Sequence, residues 1–226
     1  MSGNGNGTGD RETRERLLHE AEILFAERGF NAVSIRDIID AAGQKNTGSL
    51  HYYFRTKEAL ARELVQDGVR RIDQDRNQRL NRIEAEGGPR NIREIIELLA
   101  YPYFVDDTYM RFLSRLMQDN YGLFLEGAEG QDSGFMRVIA HVHRLQPDVP
   151  MPILLQRFQL MIVYLTSMIA LQSGGGQGQE VWSRFWSEPG AEETLLDTVE
   201  GMLCQPVSAQ TAAALSPARK RKRAAG

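Results

Sequence analysis

A single cysteine, Cys204, among 226 residues leaves no partner for an internal disulfide, which excludes a cystine-stapled scaffold. That usage suits a reducing compartment, and a cytoplasmic location is expected. No apolar run opens the chain. "MSGNGNGTGD" is Gly- and Asn-rich, unlike a signal peptide, and residues 1–10 are expected to form a disordered tail. The longest apolar stretch, Ile153 to Leu171, carries Gln156, Arg157 and Gln159 near one end and has no second span to accompany it. A helix buried in a soluble protein is expected there, with no membrane partner. Also missing are a nucleophile elbow, a zincin signature and a dinucleotide fingerprint. "SGGGQGQ" lacks the Lys-Ser/Thr step and preceding strand of a phosphate loop, and reads as a flexible linker. His141 and His143 stand two apart on a helical pattern, point in different directions and have no cysteine near. No metal, no cofactor and no enzymatic activity is expected.

What is present is an ordinary globular balance: 42% apolar residues, 25% charged, and a net charge of −3 that neither demands nor excludes a nucleic-acid partner. The charge is uneven, with a basic run at Arg219 to Arg223 and an acidic segment from Glu180 to Glu200. From Arg11 apolar residues recur at helical spacing (Leu17, Leu18, Ala21, Leu24, Phe25), and Gly29 stands where a left-handed stop belongs. Ser34 followed by Asp37 forms a capping-box pattern ahead of Ile35, Ile38 and Ile39, and Gly43 ends that helix. A third helix is expected from about Asn46 to Tyr53, and Thr56 caps a fourth running to about Glu86. Further helices are expected over 92–104, 108–121, up to 145 after a Gly127–Gly134 loop, 152–172 and 191–203. No strand ladder is visible, so the fold class is all-α.

Three short helices with tight turns make a helix-turn-helix pattern. A two-helix packing unrelated to DNA would show the same pattern at this level. The third helix needs an inner face, and Leu50 with Phe54 supplies one. Its other face would enter a major groove, where Lys45, Asn46, Thr47, Ser49 and His51 reach base edges or phosphates. Tyr52 and Tyr53 each offer a ring to pack and a hydroxyl for a phosphate oxygen, with Tyr53 expected to be partly buried packing. Gly48 lets the backbone come close, Lys57 adds a cation at the start of the fourth helix, and Ser34 and Arg36 open a helix that crosses the DNA backbone in this motif.

"TRERLLHEAEILFAERGFNAVSIRDIIDAAG" followed by "SLHYYFRTKEAL" resembles the N-terminal DNA-binding domain of the TetR family of bacterial transcription regulators. The resemblance covers about Thr13 to Leu64. It rests on the "LFAERGF" helix end, the Ser-Ile-Arg-Asp-Ile start of the second helix and the aromatic-Phe-x-x-Lys-Glu exit. The family's commonest turn is one residue shorter between Gly43 and the Tyr53-Phe54 pair, and "GQKNTGSLHYYF" resembles a longer variant. The resemblance implies a helix-turn-helix domain at 11–57 and a helical ligand-binding and dimerisation domain at 58–205. A disordered basic tail is read at 206–226 from its composition. The implied function is a homodimeric repressor on a palindromic double-stranded operator, released by a small molecule.

Large, adaptable side chains crowd the middle of the chain. A mainly apolar ligand is expected to touch Phe104, Phe112, Met117, Tyr121, Phe158, Met161 and Tyr164, although core packing explains most such residues without one. Arg111, Arg115 and Arg157 are candidates for an acidic ligand group. The dimer is expected through the 152–172 helix and a second stripe of Leu195, Leu196, Val199, Met202 and Leu203. Two rivals remain at this stage: a helical carrier or enzyme with a helix-turn-helix-like N-terminus, and a DNA-organising protein without ligand control.

Overall fold

The computed structural model of the chain describes residues 6–45, 48–130, 133–173 and 179–215. These form twelve helices and no strand, an all-α fold. In order they are α1 (Asn6–Arg28), α2 (Ile35–Ala41), α3 (Gly48–Tyr53), α4 (Lys57–Ala85), α5 (Ile92–Val105), α6 (Asp107–Asp119), α7 (Tyr121–Ala128), α8 (Ser133–Leu145), α9 (Met151–Ser173), α10 (Gln179–Ser187), α11 (Ala191–Cys204) and α12 (Ala209–Leu215). Among the described residues no helix is long and apolar enough to cross a membrane.

Capping side chains set many of the boundaries. Ser34 and Asp37 bond reciprocally to open α2, Thr56 accepts Ala59 N–H at 3.0 Å to open α4, and Asn91 accepts Glu94 N–H at 3.0 Å to open α5. Asn120 accepts Leu123 N–H at 3.1 Å and so begins a helix that the sequence pattern does not predict and that runs into the first residues of the expected Gly127–Gly134 loop. This is why α7 is separate from α6.

Helices α1 to α3 form a head around Leu17, Ala21, Phe25, Ile38 and Leu50, and α4, roughly 43 Å long at 1.5 Å per residue, leads out of it. The core of the head does not stop at α4. It continues into Tyr109, Phe112, Leu116 and Leu123 of α6 and α7, with Phe25 and Phe112 stacked at 5.9 Å. A second core joins Leu80 of α4 to α5, α8, α9 and α11.

Several expectations need correction. Helix α1 starts at Asn6, inside the expected tail; pairs such as Arg11–Glu15 (2.8 Å) and Arg16–Glu12 (2.9 Å) favour the helix there. Residues 206–215 are not a disordered tail: Ser208 caps α12, whose Ala-rich sequence has high helix propensity, and Val207 and Leu215 pack on the second core. Leu195, Val199 and Leu203 are buried in the subunit's own core and are not an outward stripe. The Arg219–Arg223 run, Asn46, Thr47 and the 174–178 linker lie outside the described residues.

Candidate nucleic-acid interface

Helix α3 is locked from one side only. Leu50 is completely buried and Phe54, just past the helix, nearly so, with Phe54 N–H donating to the Leu50 carbonyl at 2.8 Å. On the other side Lys45, Gly48, His51 and Tyr52 are exposed, and Ser49 is half-buried. The two tyrosines divide their work. Tyr53 packs on the core, and its hydroxyl donates to Asp10 at 3.1 Å; burial, then the Asp10 bond, raises its pKa above the ordinary phenol value. Tyr52 lies edge-on to Tyr53 at 4.8 Å and is 74% exposed, which leaves it the ring able to meet a phosphate or sugar.

The start of α2 is less available than its sequence implied. Ser34 Oγ donates to Asp37 Oδ2 at 2.5 Å and accepts Asp37 N–H at 3.2 Å, so its proton is already given. The Ser34 hydroxyl bond first, and then the Ser34 backbone N–H that donates to Asp37 Oδ2 at 2.7 Å, hold the Asp37 carboxyl below the usual carboxylate range. Arg36 is exposed and only loosely paired with Asp40, at 3.6 Å.

Lys57 is a clamp. Its Nζ donates to the carbonyls of Phe30 (2.9 Å) and Val33 (2.8 Å) and sits 4.3 Å from the centre of the Phe30 ring. Two of its three protons therefore bind the α1–α2 turn to the start of α4, leaving one for an anion. Arg14 pairs with Glu63 and lies over Phe54. Sequence reasoning missed Arg55, which is exposed and, at φ 67°, the one positive-φ residue other than glycine among the described residues. A left-handed arginine directly after an aromatic run leaves no composition signal.

Behind the head lies a cavity of about 180 Å³, enclosed mainly by α4, α5, α6 and α9. Met117 and Met161 line it. Phe112 and Phe158 do not: both are fully packed, Phe112 on Phe25 and Phe158 on Phe135 at 5.4 Å. Phe104 is half-buried between the two cores, Tyr121 is 46% exposed, and Tyr164 faces an open groove between α9 and α11. Arg157 donates to the Leu203 carbonyl at 2.9 Å and ties those two helices together. The missed lining residue is Arg76. Its signal was legible, because Val65, Val69, Ile72 and Arg76 follow at helical spacing and the arginine stands where that stripe calls for an apolar side chain. His141 sits 2.8 Å from Glu84 across the α4–α8 seam, and among the described residues no three His, Cys, Asp or Glu side chains gather as a metal site.

A short helix fixed by its inner residues, polar and cationic outside, after a capped helix is the arrangement of a helix-turn-helix. The sequence model for bacterial regulatory proteins of the tetR family matches residues 17–64 of the chain. Over 54 residues it is 43% identical to the HTH-type transcriptional repressor KstR2 of Mycolicibacterium smegmatis, covering 24% of this chain and 26% of that protein. Over 58 residues it is 45% identical to KstR2 of Rhodococcus jostii, covering 26% of this chain and 28% of that one. The chain thus spans about a quarter of the length of these relatives. A longer match, 22% identical over 172 residues, covers 68% of this chain and 83% of the probable HTH-type transcriptional regulator YttP of Bacillus subtilis. In fold the chain is similar to the fatty acid degradation regulator FadR of Bacillus halodurans, with a TM-score of 0.58 at 15% identity over 90% of this chain and 97% of that one.

Proposed function

We propose that the protein is a homodimeric transcription repressor that binds a palindromic double-stranded operator in the cytoplasm and leaves it when a small molecule fills the cavity behind the head. The observation that carries this reading is the split of α3 into a buried face (Leu50, with Phe54 beyond it) and an exposed one (His51, Tyr52), with exposed Lys45 ahead of the helix, inside the segment matched by the family model. Known functions of the relatives favour regulation over catalysis: KstR2 is a transcriptional repressor.

The dimer reading rests on α9 and α11. Leu160 and Val163 are 66% and 47% exposed, and with Tyr164 and Met202 they line an open, mainly apolar groove. Large exposed apolar side chains side by side are costly in water and belong in an interface. Two copies packed there as a four-helix bundle give the two-fold symmetry that a palindrome requires.

Selection of bound sites from a random duplex pool tests the proposal. A palindromic consensus with two half-sites is expected; recovery of unrelated sequences, or of none, would refute it.

A further inference from the structure

The cavity wall is apolar except for a few groups whose hydrogen-bonding states can be assigned one by one. Among the described residues Arg76 is the one charged residue lining it, its side chain is deeply buried, and its Nε–H has no acceptor. Burial lowers the pKa of the guanidinium, although a group so basic stays charged. Asp73 does not satisfy that N–H. Its Oδ2 accepts from Ser133 Oγ at 2.7 Å and Asn77 Nδ2 at 2.9 Å, its Oδ1 accepts Gly134 N–H at 2.8 Å, and the Arg76 guanidinium stands off at 3.5 Å. Of the other polar lining residues, Thr166 donates its proton to the carbonyls of Ile162 (2.8 Å) and Val163 (3.1 Å), while the Tyr103 phenol, pushed up to about 12 by burial, stays protonated and is a donor. The cavity therefore offers donors and a charge that is already balanced.

Three kinds of occupant can be compared. A hydrocarbon leaves the Nε–H unpaired, which costs roughly 1–3 kcal/mol for a buried polar group. A carboxylate pairs with Arg76 but brings a second anion beside Asp73 with no second cation in the wall, and an uncompensated buried charge is strongly unfavourable. A neutral acceptor completes the hydrogen bond and leaves the charge balance unchanged. We infer that the cavity takes a compact, neutral, mainly apolar molecule whose carbonyl oxygen accepts the Arg76 Nε–H, an inference that rests on the ligand-responsive reading above and names its ligand class. The volume of about 180 Å³ suits a body of one to two rings, given that an engineered apolar cavity of about 150 Å³ holds benzene. Met110, Met117 and Met161 in the wall can adjust to its outline.

The test is isothermal titration calorimetry of the full-length protein with three probes on one skeleton: indane, indanone and indanecarboxylate. Indanone is expected to bind about tenfold tighter than indane, the value of one hydrogen bond to a charged donor, and tighter than the carboxylate. In Arg76→Met the advantage of indanone over indane is expected to vanish while indane binding is kept, with circular dichroism melting confirming the fold. Equal binding of indanone and indane, tighter binding of the carboxylate, no binding of any of the three, or a ketone preference that survives in a folded Arg76→Met would each overturn the inference. Calorimetry reads the cavity without DNA, so failure here is distinguishable from failure of operator binding, which the random-pool selection reports separately.

Discussion

Asp119, the last residue of α6, accepts the backbone N–H of Asn31 at 3.2 Å and so ties the end of a cavity-lining helix to the turn between α1 and α2. Met117, two residues earlier, is in the cavity wall. A ligand that displaces Met117 therefore acts on a helix fastened to the reading head. It shifts DNA affinity only to the extent that it binds the two arrangements of α6 unequally.

Asp119→Ala removes this tie at an exposed site, so a stability loss below about 1 kcal/mol is expected. Operator affinity without ligand should change little, whereas the ligand-induced loss of affinity, typically about 1–3 kcal/mol in coupled systems, should shrink. Fluorescence anisotropy with and without ligand checks this. Undiminished coupling would remove α6 as the connection.

Two glycines permit close approaches that alanine would block. Gly29 has φ +85° and an added Cβ would stand 2.9 Å from Asp119 Oδ2; Gly68 on α4 faces Tyr109 so closely that a Cβ would land within the ring. Tyr109 is buried and its hydroxyl donates to the Val65 carbonyl at 3.1 Å, so it has little freedom to withdraw. Gly68→Ala should cost about 3 kcal/mol or more by overpacking, and Gly29→Ala about 1–2 kcal/mol by backbone strain, both read by urea unfolding.

Glu22 on α1 titrates above the ordinary glutamate value, chiefly because it is buried and secondarily because Asp106 is near. A carboxyl with a raised folded-state pKa ionises more easily in the unfolded chain, so stability falls as pH rises from the ordinary glutamate range through the raised value. Glu22→Gln should therefore raise the melting temperature at neutral pH and make no difference at a pH where glutamates are protonated. A gain of the same size at both values would contradict this assignment.

On the outer face of α9, Leu160→Glu would place a charge in the proposed dimer groove without touching the subunit's core. Sedimentation should show a folded monomer at concentrations where the unsubstituted protein is a dimer. A persistent dimer would move the interface elsewhere.

Much of the head was legible because its determinants are local. The Ser34–Asp37 capping box, the Gly29 stop and the inward Leu50–Phe54 pair each lie within a few residues of one another, and each stands where the pattern places it. What was not legible depends on partners distant in sequence. A lysine at a helix start reads alike whether it meets a phosphate or, like Lys57, two carbonyls 24 and 27 residues away. Phe112 reads like Met117 in composition, yet only the methionine reaches the cavity because Phe25 claims the phenylalanine. Helix α12 was hidden by an Ala/Ser-rich sequence that packs on the second core through Val207, just before the helix, and Leu215, its last residue.

The central claim is that the exposed face of α3 reads DNA sequence. Its most direct test is anisotropy titration of the selected duplex and a scrambled one across a range of salt concentrations, for the unsubstituted protein and for the Lys45→Ala/His51→Ala/Tyr52→Ala variant. The unsubstituted protein should prefer its site by about a thousandfold or more. The variant should remain folded, because these side chains point away from the core, and should lose most of that preference. A variant that discriminates between the two duplexes as well as the unsubstituted protein does would contradict the account.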